Sequence, residues 1–151
     1  MRIPTTGILW IFTLTAGLTS PAYANAPSGR YNVSNGTVYD TKTKLTWQQA
    51  VAQYSLADAK NYCSGVGSSL GGVGWHLPTV KDLLSIVDRS QSNPAIDSVA
   101  FPSTPASQFW SLTPLASGSG YEWYVNFADG YAGSWNPSAS PLPLYYVRCV
   151  R

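Results

Sequence analysis

The sequence predicts a single α+β domain with two helices, a mainly antiparallel, loop-rich sheet and one disulfide. Three observations support this class: helical periodicity is confined to two segments in the middle of the chain, strand patterns precede and follow them, and the chain has only two cysteines. Once a leader of 24 residues is set aside, residues 25–151 have the usual size of one domain.

The first 24 residues have the features of a secretory signal. Arg2 is followed by an uncharged apolar run, and Pro21-Ala22-Tyr23-Ala24 offers a small-x-small site, so we expect cleavage after Ala24. The run is shorter than the ~20 apolar residues of a membrane-spanning helix, and no later segment is apolar for that length. We therefore expect a secreted, periplasmic or cell-surface protein without a membrane span.

The charge balance excludes nucleic acid as an expected partner. Of the 9 Lys and Arg residues, Arg2 leaves with the leader, and the remaining 8 face 7 Asp and Glu, for a net charge near +1. A nucleic-acid-binding surface has to neutralise many phosphates and needs a strongly basic field. Aromatic residues make up 13% of the chain and charged residues 11%, which is typical of a compact extracellular domain.

The two cysteines, Cys63 and Cys149, are predicted to form a disulfide, because export carries them into an oxidising compartment. The bond would close a loop of 86 positions, for which the chain-entropy description gives roughly 4.5 kcal/mol. Two cysteines and the single histidine, His76, are too few ligands for a structural zinc site. We therefore expect no metal and no cofactor.

A β-hairpin is predicted at the start of the domain. Asn35-Gly36 separates two short alternating runs between Tyr31 and Asp40, and both turn residues tolerate the positive φ that a tight hairpin requires. A further strand is predicted at Leu45-Thr46-Trp47.

The two helices are predicted from their capping residues. Ser55 and Thr79 each precede an acidic residue by three positions, an arrangement that caps a helix N-terminus. Apolar residues follow at helical spacing, which places Cys63 on the buried face of the first helix. The glycine-rich segment 65–74 is expected to be a flexible connector, and residues 75–78 to be extended before the second cap.

The second half is predicted to contain strands and loops. Segment 93–105 is interpreted as a long ordered loop, and strands are expected at residues 109–112, 121–127, 131–135 and 144–150. The run 121–127 alternates apolar and polar residues, and Asp129-Gly130 turns the chain back. The disulfide would tie the first helix to the last strand.

Aromatic residues near the end of the chain are candidate ligand contacts. Tryptophans in the predicted strands and next to the second helix are assigned to the core: Trp47, Trp75, Trp110 and Trp123. Trp135 lies beside a proline-rich loop, where an exposed aromatic face offers sugar C–H groups a flat apolar platform. Tyr131, at the other end of the same strand, is interpreted as a core or loop-anchoring residue bordering this surface.

Three polar residues complete the candidate ligand set. Asn136 and Glu122 are included as candidate contacts with hydrogen-bonding side chains. Arg148 is expected to point away from the face of Cys149 and to hold a carboxylate or sulfate, with an ordinary salt bridge as the alternative.

No catalytic residue is predicted. His76 as a general base would need a nucleophile and an orienting carboxylate, and no serine lies in a nucleophile-elbow pattern. Glu122, Asn126 and Asp129 carry oxygen atoms of the kind that Ca²⁺ prefers, but three groups spread over a strand and a turn do not form a calcium loop.

Seven blocks of this sequence resemble, in order, the Lcl C-terminal domain family of bacteria. They include Gly74-Trp-His-Leu-Pro-Thr and Val147-Arg-Cys-Val-Arg, and they cover residues 36–47, 59–63, 74–88, 94–102, 109–111, 123–130 and 147–151. The resemblance implies a fold similar to C-type lectins, a cysteine pair that joins the first helix to the last strand, and an outer-surface or periplasmic location.

The member that names this family is the terminal domain of a collagen-like adhesin, for which trimerisation and binding of sulfated polysaccharides are described. The present sequence contains no collagen-type Gly-X-Y run and no strong positive charge. It also has neither Glu-Pro-Asn nor Trp-Asn-Asp, the calcium motifs of sugar-binding C-type lectins.

Non-catalytic binding of a carbohydrate or another extracellular polymer is the function that the sequence favours. One alternative is an enzyme related to formylglycine-generating and sulfatase-modifying domains, which share the lectin-like build but need further cysteines or metal ligands. The other is a structural subunit that binds a second envelope protein. The sequence leaves open the choice between glycan and protein ligands, and also whether the chain forms a homo-oligomer.

Overall fold

A computed structural model describes residues 26–118 and 120–151, apart from the side chain of Ser68. The predicted leader, residues 1–24, lies outside the described residues. Within them the strands and helices are β1 (Tyr31–Ser34), β2 (Thr37–Asp40), β3 (Thr46–Gln48), β4 (Ala52–Tyr54), α1 (Leu56–Gly65), α2 (Gly67–Leu70), α3 (Val80–Ser85), β5 (Gln108–Pro114), β6 (Glu122–Asn126), β7 (Tyr131–Trp135) and β8 (Tyr145–Val147).

The predicted N-terminal hairpin is confirmed. Ser34 pairs with Thr37, so Asn35 and Gly36 form a two-residue turn, and both have positive φ, 47° and 75°. β3 then pairs with β2 to complete a three-stranded antiparallel sheet. Residues near the C-terminus extend this region, because Val150 forms bridges with both Trp47 and His76.

The second sheet has five strands in the order β4-β8-β5-β6-β7. All its pairings are antiparallel except that of β5 with β8. Strand β4 was not predicted, because it is three residues long and carries no clear alternation of its own. It forms by pairing with β8, a strand more than 90 positions further along the chain, so its signal is non-local.

Both predicted helices are present with the predicted caps. The Ser55 hydroxyl accepts a hydrogen bond from the Asp58 backbone N–H at the start of α1. Thr79 and Asp82 form a reciprocal capping box at the start of α3. The segment predicted to be a flexible connector contains the short helix α2, and the Trp75 indole donates to the Gly71 carbonyl just after it, at 2.9 Å.

The five-stranded sheet packs on both faces. On one face, a core that includes Phe109, Val125 and Phe127 contacts α3. On the other face, a second core that includes Trp110 and Val147 contacts α1 and contains the Cys63–Cys149 disulfide. The disulfide prediction is therefore confirmed. Trp47, Trp75 and Trp110 are buried as predicted, whereas Trp123 is only half-buried and is not part of either core.

The α+β class with one disulfide is confirmed, while the C-type-lectin-like build stays a prediction. In residues 26–118 and 120–151, no helix has the length and apolar character needed to cross a bilayer.

Candidate functional site

Strand β7 carries two exposed aromatic side chains. Trp135 is 47% and Tyr131 62% exposed. Because side chains alternate along a strand, residues four positions apart lie on the same face of the sheet. Because Tyr131 is mostly exposed, its interpretation as a core or loop-anchoring residue is wrong. The reason is that β7 is the outermost strand of its sheet, beyond the part of this face that α1 covers.

A third aromatic ring fills the space between these two. Tyr124 on β6 pairs with Gly133, the central residue of β7. A Cβ atom at Gly133 would lie 2.5 Å from the Tyr124 hydroxyl oxygen and 2.6 Å from its Cζ, so the ring rests directly on the glycine backbone. Three rings thus lie in a row along β7, in the order Trp135, Tyr124 and Tyr131. We call this row the aromatic strip.

Two neighbouring rings, Tyr145 and Trp110, support the Tyr124 ring at the centre of the aromatic strip. Tyr124 makes an edge-to-face contact with Tyr145, with ring centroids 5.5 Å apart. Tyr145 stacks on the fully buried Trp110 at 4.2 Å, and the Trp110 indole donates to the Tyr54 carbonyl. Such ring pairs contribute beyond their buried area. The Tyr124 ring is therefore packed against a neighbour that itself rests on the core.

A carboxylate and an amine lie beside the Trp135 end of the strip. Glu122 pairs directly with Trp135 across β6 and β7, so the two side chains are neighbours on one face. Lys60 of α1 lies 3.8 Å from Glu122 Oε1, and its side chain is 43% exposed. Glu122 Oε2 is buried and has no hydrogen-bond donor among the residues that the structure describes. Burial raises the pKa of Glu122, and the attraction of Lys60 opposes this rise.

The chain after β7 continues the site towards α1. Asn136 follows Trp135, and its Oδ1 accepts from the Ser138 backbone N–H at 2.9 Å. The proline-rich loop and α1 enclose a groove of about 310 Å³, lined by Lys60, Pro137 and Leu142 among others. Because Lys60 borders both this groove and Glu122, the groove and the strip are adjacent.

The oxygen atoms considered as calcium ligands have other partners at the Tyr131 end. Asn126 Oδ1 accepts from the Ala128 backbone N–H at 3.0 Å, and Asp129 Oδ1 from the Tyr131 N–H at 2.9 Å. Both residues fix the turn between β6 and β7. Glu122 pairs with the opposite end of β7, so the three groups do not come together.

The expected position of Arg148 on a ligand-binding surface is corrected by the structure. Its side chain is completely buried, with the guanidinium 4.6 Å from the Phe101 ring centroid. It donates to the Thr104 hydroxyl at 2.8 Å and to the Gln49 carbonyl at 3.2 Å. No ion pair in the described part of the chain includes it. Strand alternation correctly separated Arg148 from Cys149, but both faces of this segment are covered.

A separate cavity of about 430 Å³ lies near the N-terminal segment, lined by Arg30, Tyr31, Asp88 and Asp97 among others. Asp97 Oδ1 accepts hydrogen bonds from the backbone N–H groups of Val99 and Ala100, each at 2.9 Å. None of the ligand contacts predicted from the sequence lines this cavity, so the aromatic strip is the better candidate site.

We expect Gly133→Ala to disturb the aromatic strip. The new methyl group would collide with the Tyr124 ring, and such overpacking costs about 1–3 kcal/mol. Thermal unfolding should show a lower melting temperature, and near-UV circular dichroism should show a changed tyrosine signal. Ser134→Ala, at the next position of β7, is the matched control and should leave both unchanged. Equal melting temperatures for wild type and Gly133→Ala would contradict the packing described for Tyr124.

The sequence indicated Trp135 and Tyr131 as candidate contacts, although with a wrong role for Tyr131, and it gave no indication of Tyr124. In the sequence, Tyr124 is a member of the alternating run 121–127, and Gly133 lies in the middle of the predicted strand 131–135. A glycine inside a strand, away from a turn, often marks the close approach of another group. That signal was present at Gly133, but it does not say which residue approaches.

Comparison with family models gives one match, the Lcl C-terminal domain, over residues 36–151. No curated protein gives a significant match. The matched range includes α1, the disulfide and all three residues of the aromatic strip. The chain therefore belongs to the Lcl C-terminal domain family.

Proposed function

We propose that this domain is an exported, non-catalytic binding module that recognises carbohydrate through the aromatic strip. The observation that carries the proposal is the row of Trp135, Tyr124 and Tyr131 on one face of the sheet. Aromatic faces attract the apolar C–H side of sugars, while their polar edges stay in water. Export, lectin-like character and a role in adhesion are parts of this proposal, supported by the leader-like N-terminus and by the family resemblance.

Polar groups at one end of the strip suit sugar hydroxyls. Glu122 offers acceptors, and the exposed amine of Lys60 is a donor. The Oε2 atom of Glu122 is buried, so we assign the contacts with sugar hydroxyls to its Oε1, which faces Lys60, and to Lys60 itself.

The same residues argue against glycoside cleavage. Glycosidases of the usual kind place two carboxyl groups across the bond that they break. At the strip, Glu122 is paired with an amine, Lys60. Binding without turnover is therefore the function that we propose, and a glycan surface is the proposed partner.

Trp135→Ala is expected to weaken glycan binding at least about tenfold, or ~1.4 kcal/mol. Removal of the ring deletes an exposed platform, so the melting temperature should change little. Titration calorimetry on glycans selected from an array measures the affinity. Tyr39→Ala is the matched control, since Tyr39 is also exposed but lies on β2 of the other sheet. It should bind like the wild type.

Binding should also change little between low and physiological salt. A net charge near +1 for the chain without its leader contributes weak long-range attraction, and the Debye length is already about 8 Å at physiological ionic strength. A steep salt dependence would instead favour a sulfated polymer and argue against stacking. A loss of about 3 kcal/mol or more in folding stability for Trp135→Ala would mean that the ring belongs to the core.

A further inference from the structure

The two ends of the aromatic strip are too far apart for one sugar ring. Tyr131 and Trp135 are separated by four positions along β7. At roughly 3.3 Å per residue, their Cα atoms lie about 13 Å apart. A ligand that contacts both exposed rings must therefore be an extended molecule with more than one ring.

The surface between the two ends is continuous. Gly133 has no side chain, and the half-buried Tyr124 ring covers its backbone. Tyr124 packs against Tyr145, which in turn stacks on Trp110, so its ring forms part of this surface. The strip is thus a continuous surface along β7, with one aromatic ring at each end and the Tyr124 ring between them.

The two ends differ in polarity. At the Trp135 end, the exposed amine of Lys60 and the Glu122 Oε1 atom beside it offer hydrogen-bonding groups to a ligand. At the Tyr131 end, the Oδ1 atoms of Asn126 and Asp129 accept backbone hydrogen bonds within the turn between β6 and β7. Stacking and hydrogen bonding are therefore combined at Trp135, whereas Tyr131 contributes mainly a stacking surface.

We infer that the strip binds an internal stretch of a linear, uncharged polysaccharide, with successive sugar rings over Trp135, Tyr124 and Tyr131. This inference rests on the proposed function and adds chain length as the specificity determinant. The Trp135 end is the primary subsite, since it has the polar groups. Tyr131 is an extension subsite that only a longer chain reaches.

The test uses defined oligosaccharides of one to six units from three uncharged series, namely β-1,4-glucose, β-1,4-N-acetylglucosamine and α-1,4-glucose. Affinities are measured by titration calorimetry for wild type, Trp135→Ala, Tyr131→Ala and the control Tyr39→Ala. Melting temperatures of all variants are recorded, and we expect them to agree closely because the three side chains are exposed.

In the series that binds, affinity should rise at least tenfold between the disaccharide and the hexasaccharide. Tyr131→Ala should weaken binding of the hexasaccharide about fivefold to tenfold and leave the disaccharide unaffected. Trp135→Ala should weaken both. Tyr39→Ala should change neither.

Two other results have different meanings. If a monosaccharide or disaccharide binds as tightly as the hexasaccharide, or if Tyr131→Ala weakens short and long chains equally, the extended-chain inference is wrong and carbohydrate binding stands. If the folded wild type binds none of the three series and no glycan on the array, the proposed function is wrong, and the inference falls with it.

Discussion

Asp40→Ala is expected to lower the free energy of unfolding by about 3–5 kcal/mol, the usual cost of removing one partner from a buried ion pair. The Asp40 side chain is 0% exposed, and its carboxylate receives two hydrogen bonds from Arg30, at 3.3 and 3.0 Å. Arg30 also donates to the carbonyl of Ser85, the last residue of α3, at 2.6 Å. The pair therefore joins the N-terminal hairpin to the end of that helix.

Loss of the Asp40 carboxylate would leave a largely buried cation without its charged partner. Chemical denaturation of wild type and variant at pH 7 measures the difference. Lys60→Ala is the matched control, since it breaks the more exposed ion pair with Glu122 and should cost less than about 1 kcal/mol. If both variants lose a similarly small part of the free energy of unfolding, burial does not make the Asp40–Arg30 ion pair more stabilising than an exposed one.

The same ion pair predicts sensitivity to acid. Burial alone would raise the pKa of Asp40, but hydrogen bonds from Arg30 and from the Lys42 backbone N–H outweigh it, so the pKa lies below its ordinary value. Because the folded-state pKa is depressed, this stability is fully present above about pH 4 and is lost as the pH falls through the folded-state pKa. Asp40→Asn should be less stable at pH 7 and should lose less stability than wild type on acidification.

Cys63→Ser is expected to lower the free energy of unfolding by about 2–5 kcal/mol. The disulfide closes a loop of 86 positions, so breaking it greatly increases the freedom of the unfolded chain. Cys63 and Cys149 are completely buried in the core that contacts α1. A serine hydroxyl placed there without a hydrogen-bond partner destabilises the folded state further.

Cys149→Ser should cost a similar amount, and the double variant should cost far less than the two single losses together, because both changes break one bond. Peptide mapping of unreduced protein should yield one linked pair. Two free thiols in freshly purified protein, or unchanged stability after full reduction, would overturn this prediction.

Local sequence signals predicted the elements that depend on neighbouring residues. The Asn35-Gly36 turn and the caps at Ser55 and Thr79 lie where they were expected, because turn and cap chemistry acts over three or four residues. Strand β4 has no such signal. Its three residues become a strand through pairing with β8, which is distant in sequence.

The candidate site was only partly predictable, since exposure is a property of the whole sheet. Trp135 was expected at the surface and is exposed, but Tyr131 is more exposed than expected because β7 is the edge strand. Tyr124 is part of the strip because the register of β6 against β7 pairs it with Gly133, and the sequence alone does not give this register. Arg148 was lost from the site because Phe101 and Thr104 cover it from a distant loop.

The sequence by itself therefore determined the α+β class, the cysteine pair, the hairpin, both capped helices and the exposure of Trp135. These follow from residue types, local spacing and the cysteine count. Tertiary structure alone decided strand order, the row of rings formed by Trp135, Tyr124 and Tyr131, and the burial of Arg148. The physical reason is that strand order and register bring together residues that are far apart in sequence, and no local pattern encodes which side chains then share a face.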